Sequence, residues 1–347
     1  MPQSLRRPAA LLSVLAVLVT PIGAIADDAA SVPVATLQAQ YRRPDTIPFP
    51  AANPYTDAKA QLGQTLFFDP RLSGPGTLAC AGCHNPGLGW KDGLARGVGF
   101  GAKQLARATP TIVNLAWADL LMWDGSKDGL EDQALGPNIS ETEMNMPMPV
   151  LLSRLSAIPG YRRRFAEAFG QPAITPERVA QAIATFERTV VSNKAPFDRW
   201  IAGDEAAIDE PAKRGFVLFN TRANCAACHS TWRFTDDGFH DIGLPGDDPG
   251  RGAQVPDEPA LAHAFKTPTL RDIDLRAPYM HDGSIATLRA VVQHYDSGFT
   301  ARPSLSPEMH RLGLAPRDID DIVAFLHTLT SQDDPVVVPV MPAMEED

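Results

Sequence analysis

Three observations predict a mainly helical fold of two tandem, related units with long ordered loops. First, one pentapeptide occurs twice, as Cys80-Ala-Gly-Cys83-His84 and Cys225-Ala-Ala-Cys228-His229, and it accounts for all four cysteines. Second, its surroundings repeat. Ala60-x-x-Gly63-x-x-Leu66-Phe67 recurs as Ala212-x-x-Gly215-x-x-Leu218-Phe219, Thr109-Pro110-Thr111 as Thr267-Pro268-Thr269, and Met122-Trp123-Asp124-Gly125-Ser126 as Met280-His281-Asp282-Gly283-Ser284. The last two pairs share an offset of 158 residues, so equivalent positions can be compared between units. Third, apolar residues follow helical spacing, and no convincing alternating strand series is present.

The pentapeptide is the attachment signature of c-type haem. Its two thiols add across the haem vinyl groups, and the adjoining histidine is placed to ligate the iron. Zinc or a disulfide can use Cys-x-x-Cys, but neither requires a histidine after both pairs. We therefore read two cytochrome c-like domains holding two covalent haems c, attached by Cys80, Cys83, Cys225 and Cys228, with His84 and His229 as iron ligands.

Taken in order, Arg6 and Arg7 precede the apolar run Leu11 to Val19 and the small-residue site Ala24-Ile25-Ala26, the pattern of a cleavable signal peptide over residues 1–26. A membrane anchor needs about twenty continuous apolar residues, and Pro21 and Gly23 interrupt this run. The expected destination is the periplasm, with no membrane span. Residues 27–200 read as the first domain, 201–332 as the second and 333–347 as a flexible tail. Residues 58–67 and 212–219 are expected to be helices leading into each haem motif. A third helix starts with Thr175 as N-cap and Pro176 at its first position, and carries Val179, Ile183, Phe186 and Val190 on one face. A fourth has Asp318, Asp320 and Asp321 at its positive end and turns Ile319, Ile322, Val323 and Leu326 inward. The Gly-, Pro- and Asp-rich stretch from Thr235 to Ala262 reads as a long ordered loop or lid. Removing residues 1–26 deletes two arginines and no acid, taking the formal charge from -10 to -12. That balance excludes nucleic acid as a partner, since no basic surplus exists to displace counterions.

The 158-residue offset also points to chemistry. Leu288, Val291, Val292 and Tyr295 share one helix face, and the position equivalent to Tyr295 is Pro137. If both lie over the distal faces of their haems, the second iron can take a phenolate while the first faces a residue with no donor atom. On spacing alone, a core tyrosine satisfied elsewhere is the commoner reading.

The chain resembles the bacterial di-haem cytochrome c peroxidase and MauG superfamily from about Asn53 to Leu329. The resemblance is carried by the paired motifs, Trp123-Asp-Gly-Ser, Leu130-Glu-Asp-Gln133-Ala-Leu-Gly136-Pro137, Glu143-Met144 and Ala277-Pro-Tyr-Met-His281-Asp-Gly. It implies that Trp123 relays electrons between the haems and that Gln133, Pro137 and Glu143 line the peroxide pocket of the first. It implies that Glu143 is the acid-base group, where the residue alone would read as an exposed loop acid. Peroxidases of the family place a methionine ligand fourteen residues after the histidine of the Ala-Pro-Tyr motif, and here that residue is Tyr295, the pattern of the MauG branch. The activity implied is reduction of hydrogen peroxide, with a small redox protein (cytochrome c or cupredoxin) as donor, or else oxidation of a protein substrate. A non-catalytic dihaem carrier is the remaining class, and an open iron argues against it. Monomer and homodimer both fit.

Three departures bear on these expectations. No histidine lies between His84 and Trp123 to block the first haem, and Phe100 stands near the expected place, so reductive activation is not expected. Ala223 occupies the position two residues before the second motif where quinone-forming members carry an exit tryptophan. Ala108 replaces the asparagine expected to bind an interdomain calcium, leaving Pro278 and backbone groups as its only ligands. Of the other histidines, His240 and His263 read as structural or propionate-linked, His281 as packing beside the second haem, His294 as a poor second choice for its ligand, and His310 and His327 as without chemistry.

Overall fold

The computed structural model of the chain describes residues 33–332 and 334–344, so the signal peptide expected over residues 1–26 lies outside the described residues. α1 (Val34–Ala39) and α2 (Asp57–Phe68) lead to α3 (Cys80–Cys83), the turn of the first haem motif. α4 (Gly129–Gln133), α5 (Gly136–Ile139), α6 (Met148–Ser156), α7 (Pro159–Phe169) and α8 (Pro176–Thr189) follow. α9 (Pro196–Ile201) and α10 (Glu210–Asn220) open the second unit, and α11 (Leu288–Gln293) and α12 (Pro316–His327) close it. The four helices expected from the sequence are α2, α10, α8 and α12. Their N-termini are capped by side chains where the sequence offers them: Thr56 accepts from Lys59 N, Thr175 from Arg178 N and Asp209 from Ala212 N.

The repeated glycine has a packing cause. A Cβ on Gly63 would collide with the backbone of Ala182 and with Phe186 Cβ on α8, and one on Gly215 would meet the backbone of Asp321 and Phe325 Cβ on α12. Each unit is therefore built on one close helix crossing, α2 on α8 and α10 on α12. One core gathers Leu62, Leu66, Phe67, Ile183 and Phe186, and the other gathers Phe216, Phe219, Ile322 and Phe325.

The chain ends cross between the cores. Leu37 and Tyr41, and further on Phe197 and Trp200, belong to the second core although they fall in the stretch expected to form the first domain. Tyr41 stacks on Phe234 and donates to Asn220 Oδ1 at 2.6 Å. The segment expected as a flexible tail is instead laid along the first unit. Val336 packs on the first core, Gln64 donates to Val337 O and Arg71 to Pro342 O. Unpaired backbone carbonyls of a non-helical segment find donors on α2 and its following turn, which accounts for the docking.

Two short antiparallel ladders shape the junction. β1 (Leu120–Leu121) pairs with β2 (Lys127–Asp128) and makes Trp123-Asp-Gly-Ser the tip of a hairpin. β3 (Phe239–His240) pairs with β4 (Phe265–Lys266) and closes the long loop at its base. Gly125, at φ 67°, leaves room for Phe239 of the other unit, and Gly283, at φ 65°, for Ala95. The Asp-Gly-Ser motifs thus press reciprocally on the opposite unit, where only a glycine fits.

Candidate functional site: two haem cavities

Each cysteine pair and its histidine lie on one cavity wall. The first cavity, about 1010 Å³, is lined by Cys80, Cys83, His84, Gln133, Pro137 and Glu143. The second, about 180 Å³, is lined by Cys225, Cys228, His229 and Tyr295. All four cysteines are free thiols. His84 Nδ1 lies 3.2 Å from Trp90 O, and His229 Nδ1 lies 2.9 Å from Phe234 O. Those bonds hold the rings and leave each Nε2 for a metal. Burial pushes both imidazoles toward the neutral form that ligation requires.

These residues fit covalently attached haem. The first cavity also carries Arg96, Arg107, Arg233, Lys266 and Arg276, cations suited to a cofactor that bears two carboxylates. In the second, the phenol of Tyr295 is pushed up by burial, and among the described residues no protein group hydrogen-bonds to it. A bound cation would reverse that preference and hold the phenolate. Tyr295 sits in a π-helical turn, His294–Gly298, that follows α11, whereas the sequence predicts a regular helix through it. The turn is pinned by His294 Nε2 on Ile242 O at 2.8 Å and by Leu314 N donating to Asp296 Oδ1 at 2.9 Å. His294 is thereby engaged elsewhere, and Tyr295 keeps the cavity.

The structure brings the other predicted residues together at the first cavity. Gln133 ends α4, Pro137 lies in α5, and Glu143 follows on the next turn, where burial raises its carboxyl above the usual range. Phe100 N donates to Glu143 O at 2.7 Å, so the loop that lacks a histidine leans on the backbone of this turn. Trp123 lines both cavities. Its Nε1 donates to Ala108 O at 2.8 Å, and its carbonyl accepts from Lys266 N at 2.8 Å, a tie to each unit. His281, its counterpart in the repeat, lines the second cavity and stacks on Phe265 at 3.5 Å between ring centroids.

The carbonyls around Pro278, where calcium is possible by resemblance, meet a side chain in the structure. Lys91, which is buried, donates through Nζ to Arg276 O at 3.1 Å and to Pro278 O at 2.9 Å, so a cation of the chain itself occupies the carbonyls expected to bind the metal. His310 is exposed, in keeping with a surface residue, and borders the second cavity with Met309. His240 lines it too and pairs with Asp236 at 2.8 Å. Cys228, Asp236 and His240 converge within 4.8 Å, but that sulfur belongs to the haem thioether. Lys91, Arg107 and Glu187 also line the first cavity, and no motif marks them in the sequence. Arg107 bridges Asp124 and Asp248, both at 2.8 Å, and so ties the hairpin to the long loop.

Two haem c attachment motifs, each with its histidine on the wall of its own cavity, define a two-haem c-type protein. The comparisons agree. The family model for di-haem cytochrome c peroxidase matches residues 57–206, and the model for cytochrome c matches residues 212–330. The chain is 52% identical over 318 residues to the methylamine utilization protein MauG of Methylorubrum extorquens, covering 91% of this chain and 90% of that protein. It is 33% identical to the cytochrome c551 peroxidase of Pseudomonas aeruginosa, covering 84% of each. The crystal structure of a MauG-like protein associated with microbial copper homeostasis superposes with a TM-score of 0.78 at 31% identity, covering 84% of this chain and 95% of that one. The chain belongs to the di-haem cytochrome c peroxidase and MauG family. Among the described residues, no helix is long and apolar enough to cross a membrane.

Proposed function

We propose that this protein is an exported periplasmic peroxidase that reduces hydrogen peroxide in the first cavity, with electrons arriving through the second haem and Trp123. The observation that carries the reading is the asymmetry of the distal residues: Pro137, without a donor atom, lines one cavity, and Tyr295, with a free hydroxyl, lines the other. Bound haem supplies an iron centre able to split an O–O bond and to pass single electrons. The chain supplies the rest. Pro137 would offer no donor atom to a haem held in this cavity. Gln133 orients peroxide or water through its amide. Glu143 Oε takes the proton of the near peroxide oxygen and returns it to the leaving one, a role that its raised carboxyl suits. Two electrons from one-electron donors and two protons complete the conversion of peroxide to two waters. Trp123, tied to both units, positions an oxidisable indole between the cavities.

A second reading has its own support. Tyr295 and the 52% identity to a MauG favour use of peroxide to oxidise a partner protein. Ala223, buried on the second cavity, replaces the exit tryptophan of that chemistry with a residue that cannot be oxidised. Electron paramagnetic resonance of the resting ferric holoprotein tests the shared basis: one high-spin and one low-spin haem are expected, and two low-spin signals of equal weight would refute the open site. Peroxide consumption with a reduced cytochrome c or cupredoxin, set against mass changes in exported proteins of the same organism, then separates the two readings.

A further inference from the structure

Glu187 is an acid on the buried stripe of α8. It is 4% exposed, it lines the first cavity, and its Oε2 has no hydrogen-bond partner. A buried, unpaired carboxyl calls for an explanation. Of the charges around it, Arg188 favours its ionised form and Glu131 opposes it, and burial outweighs both. Arg188, next on the helix, is spent on Glu131, whose two oxygens it meets at 2.6 and 2.7 Å. Glu131 itself, on α4, only adds repulsion. Cys80 on α3 feels Glu187 electrostatically and becomes an uncharged thioether once haem is attached. Lys59 on α2 is turned to Asn53 Oδ1 and Pro54 O, at 2.9 and 2.5 Å. Burial consequently pushes the Glu187 carboxyl up to about 8.

The duplicated fold shows what the position needs for packing alone. Gly63 and Gly215 set the same register in both units, since each meets a backbone carbonyl and, four residues on, a phenylalanine Cβ. In that register Ile183 and Glu187 on α8 correspond to Ile322 and Leu326 on α12, and Ile322 and Leu326 line the second cavity as Ile183 and Glu187 line the first. The frame accepts leucine. The acid stands only in the cavity that Pro137 lines.

We propose that Glu187 is the redox-linked proton site of the first haem pocket. It takes one proton from solvent when one electron, delivered by an external one-electron donor such as a small redox protein, enters that unit, and it releases the proton when the electron leaves. Only its O–H bond forms and breaks. Taking up charge in opposite pairs keeps the sum inside a low-dielectric site constant, where an uncompensated charge is costly. Glu187 is thus a positioning residue for the redox equilibrium and does not touch peroxide. The proposal rests on haem in the first cavity and not on what is oxidised there.

The test is a spectroelectrochemical titration of the holoprotein, following the first haem across about pH 6 to 10, the span around a carboxyl raised by burial. In the wild type the potential should fall as pH rises, because the reduced state binds the extra proton. In Glu187→Leu and Glu187→Gln that slope should vanish while the second haem is unaffected. Infrared difference spectra, reduced minus oxidised, should show a protonated-carboxyl band that both variants lose. The same slope in wild type and variants, or a band that survives both substitutions, would overturn the proposal. Leucine has a precedent at Leu326, and if that variant loses haem the glutamine variant decides. Loss of peroxide turnover with the redox-linked slope intact would count against the peroxidase reading and leave this one standing.

Discussion

The two halves of this molecule share a frame and differ in what they place around it. Both attach haem through the same pentapeptide, both hold the proximal histidine by a backbone carbonyl five or six residues on, and both rest on a glycine-mediated helix crossing. They part at three equivalent pairs: Pro137 against Tyr295, Trp123 against His281, and Glu187 against Leu326. On the proposed reading, the first of each pair serves one cavity and the second gives the other a different lining. Haem attachment is thus a property of the duplicated fold, and the two cavities are told apart by a few side chains set on it.

The largest break in the comparison should come from Glu143→Gln. It keeps the size and polarity of the first pocket but removes the base, so reaction with peroxide should slow by about a hundredfold or more, while cyanide still binds. In the wild type the rate should rise with pH through a value above the ordinary glutamate range, because the carboxylate must be ionised to accept a proton, and the variant should lose that step. Stopped-flow spectra against pH check both. Normal reaction in the variant would move the role to another group, with Gln133 and an ordered water first in line.

Tyr295→Phe sharpens the same contrast from the other side. Removing the hydroxyl should make the second haem resemble the first, so the low-spin signal of the resting protein should be lost. Tyr295→Met should instead keep it and raise the reduction potential, since thioether favours the reduced metal and phenolate the oxidised one. Unchanged spectra in the phenylalanine variant would pass the role to Met280, which lines both cavities. Trp123→Phe is expected to act on the link alone. Peroxide should react normally at the first unit, while electron exchange with the second slows by about tenfold, equivalent to about 1.4 kcal/mol of barrier.

Much of this was legible in the sequence because local chemistry dictates it. The paired pentapeptides announce the haems, and the cap Thr175 and the acids from Asp318 on mark helices that the structure contains. Long-range placement was harder to read. Leu37 and Tyr41 enter the second core and Val336 the first, which the sequence pattern does not signal, because one or two apolar anchors in a short segment do not say which core they join. Tyr295 was placed on a regular helix face, but tertiary ties at His294 and Asp296 widen that turn. Glu187 had a visible signal, an acid four residues after Ile183 on an apolar stripe, that helix amphipathicity alone does not interpret.

Lys91 provides the finest test of how the halves are joined. The family resemblance leaves a calcium ion possible between the units, and in the structure an ammonium group from the first unit meets the carbonyls of Arg276 and Pro278 in the second. A tethered cation and a bound ion differ in what removes them. Incubation with a strong chelator should leave the haem spectra and thermal midpoint unchanged, because the chain supplies its own charge. Lys91→Met keeps the stem but strips the donors, leaving two carbonyls without their partner at a cost of about 1–3 kcal/mol each where no water reaches them. Thermal unfolding of the variant should fall by several degrees, and added calcium should restore part of the loss if the vacated carbonyls can accept an ion. A wild-type midpoint that drops on chelation would show that a metal, and not Lys91, holds the units at this point.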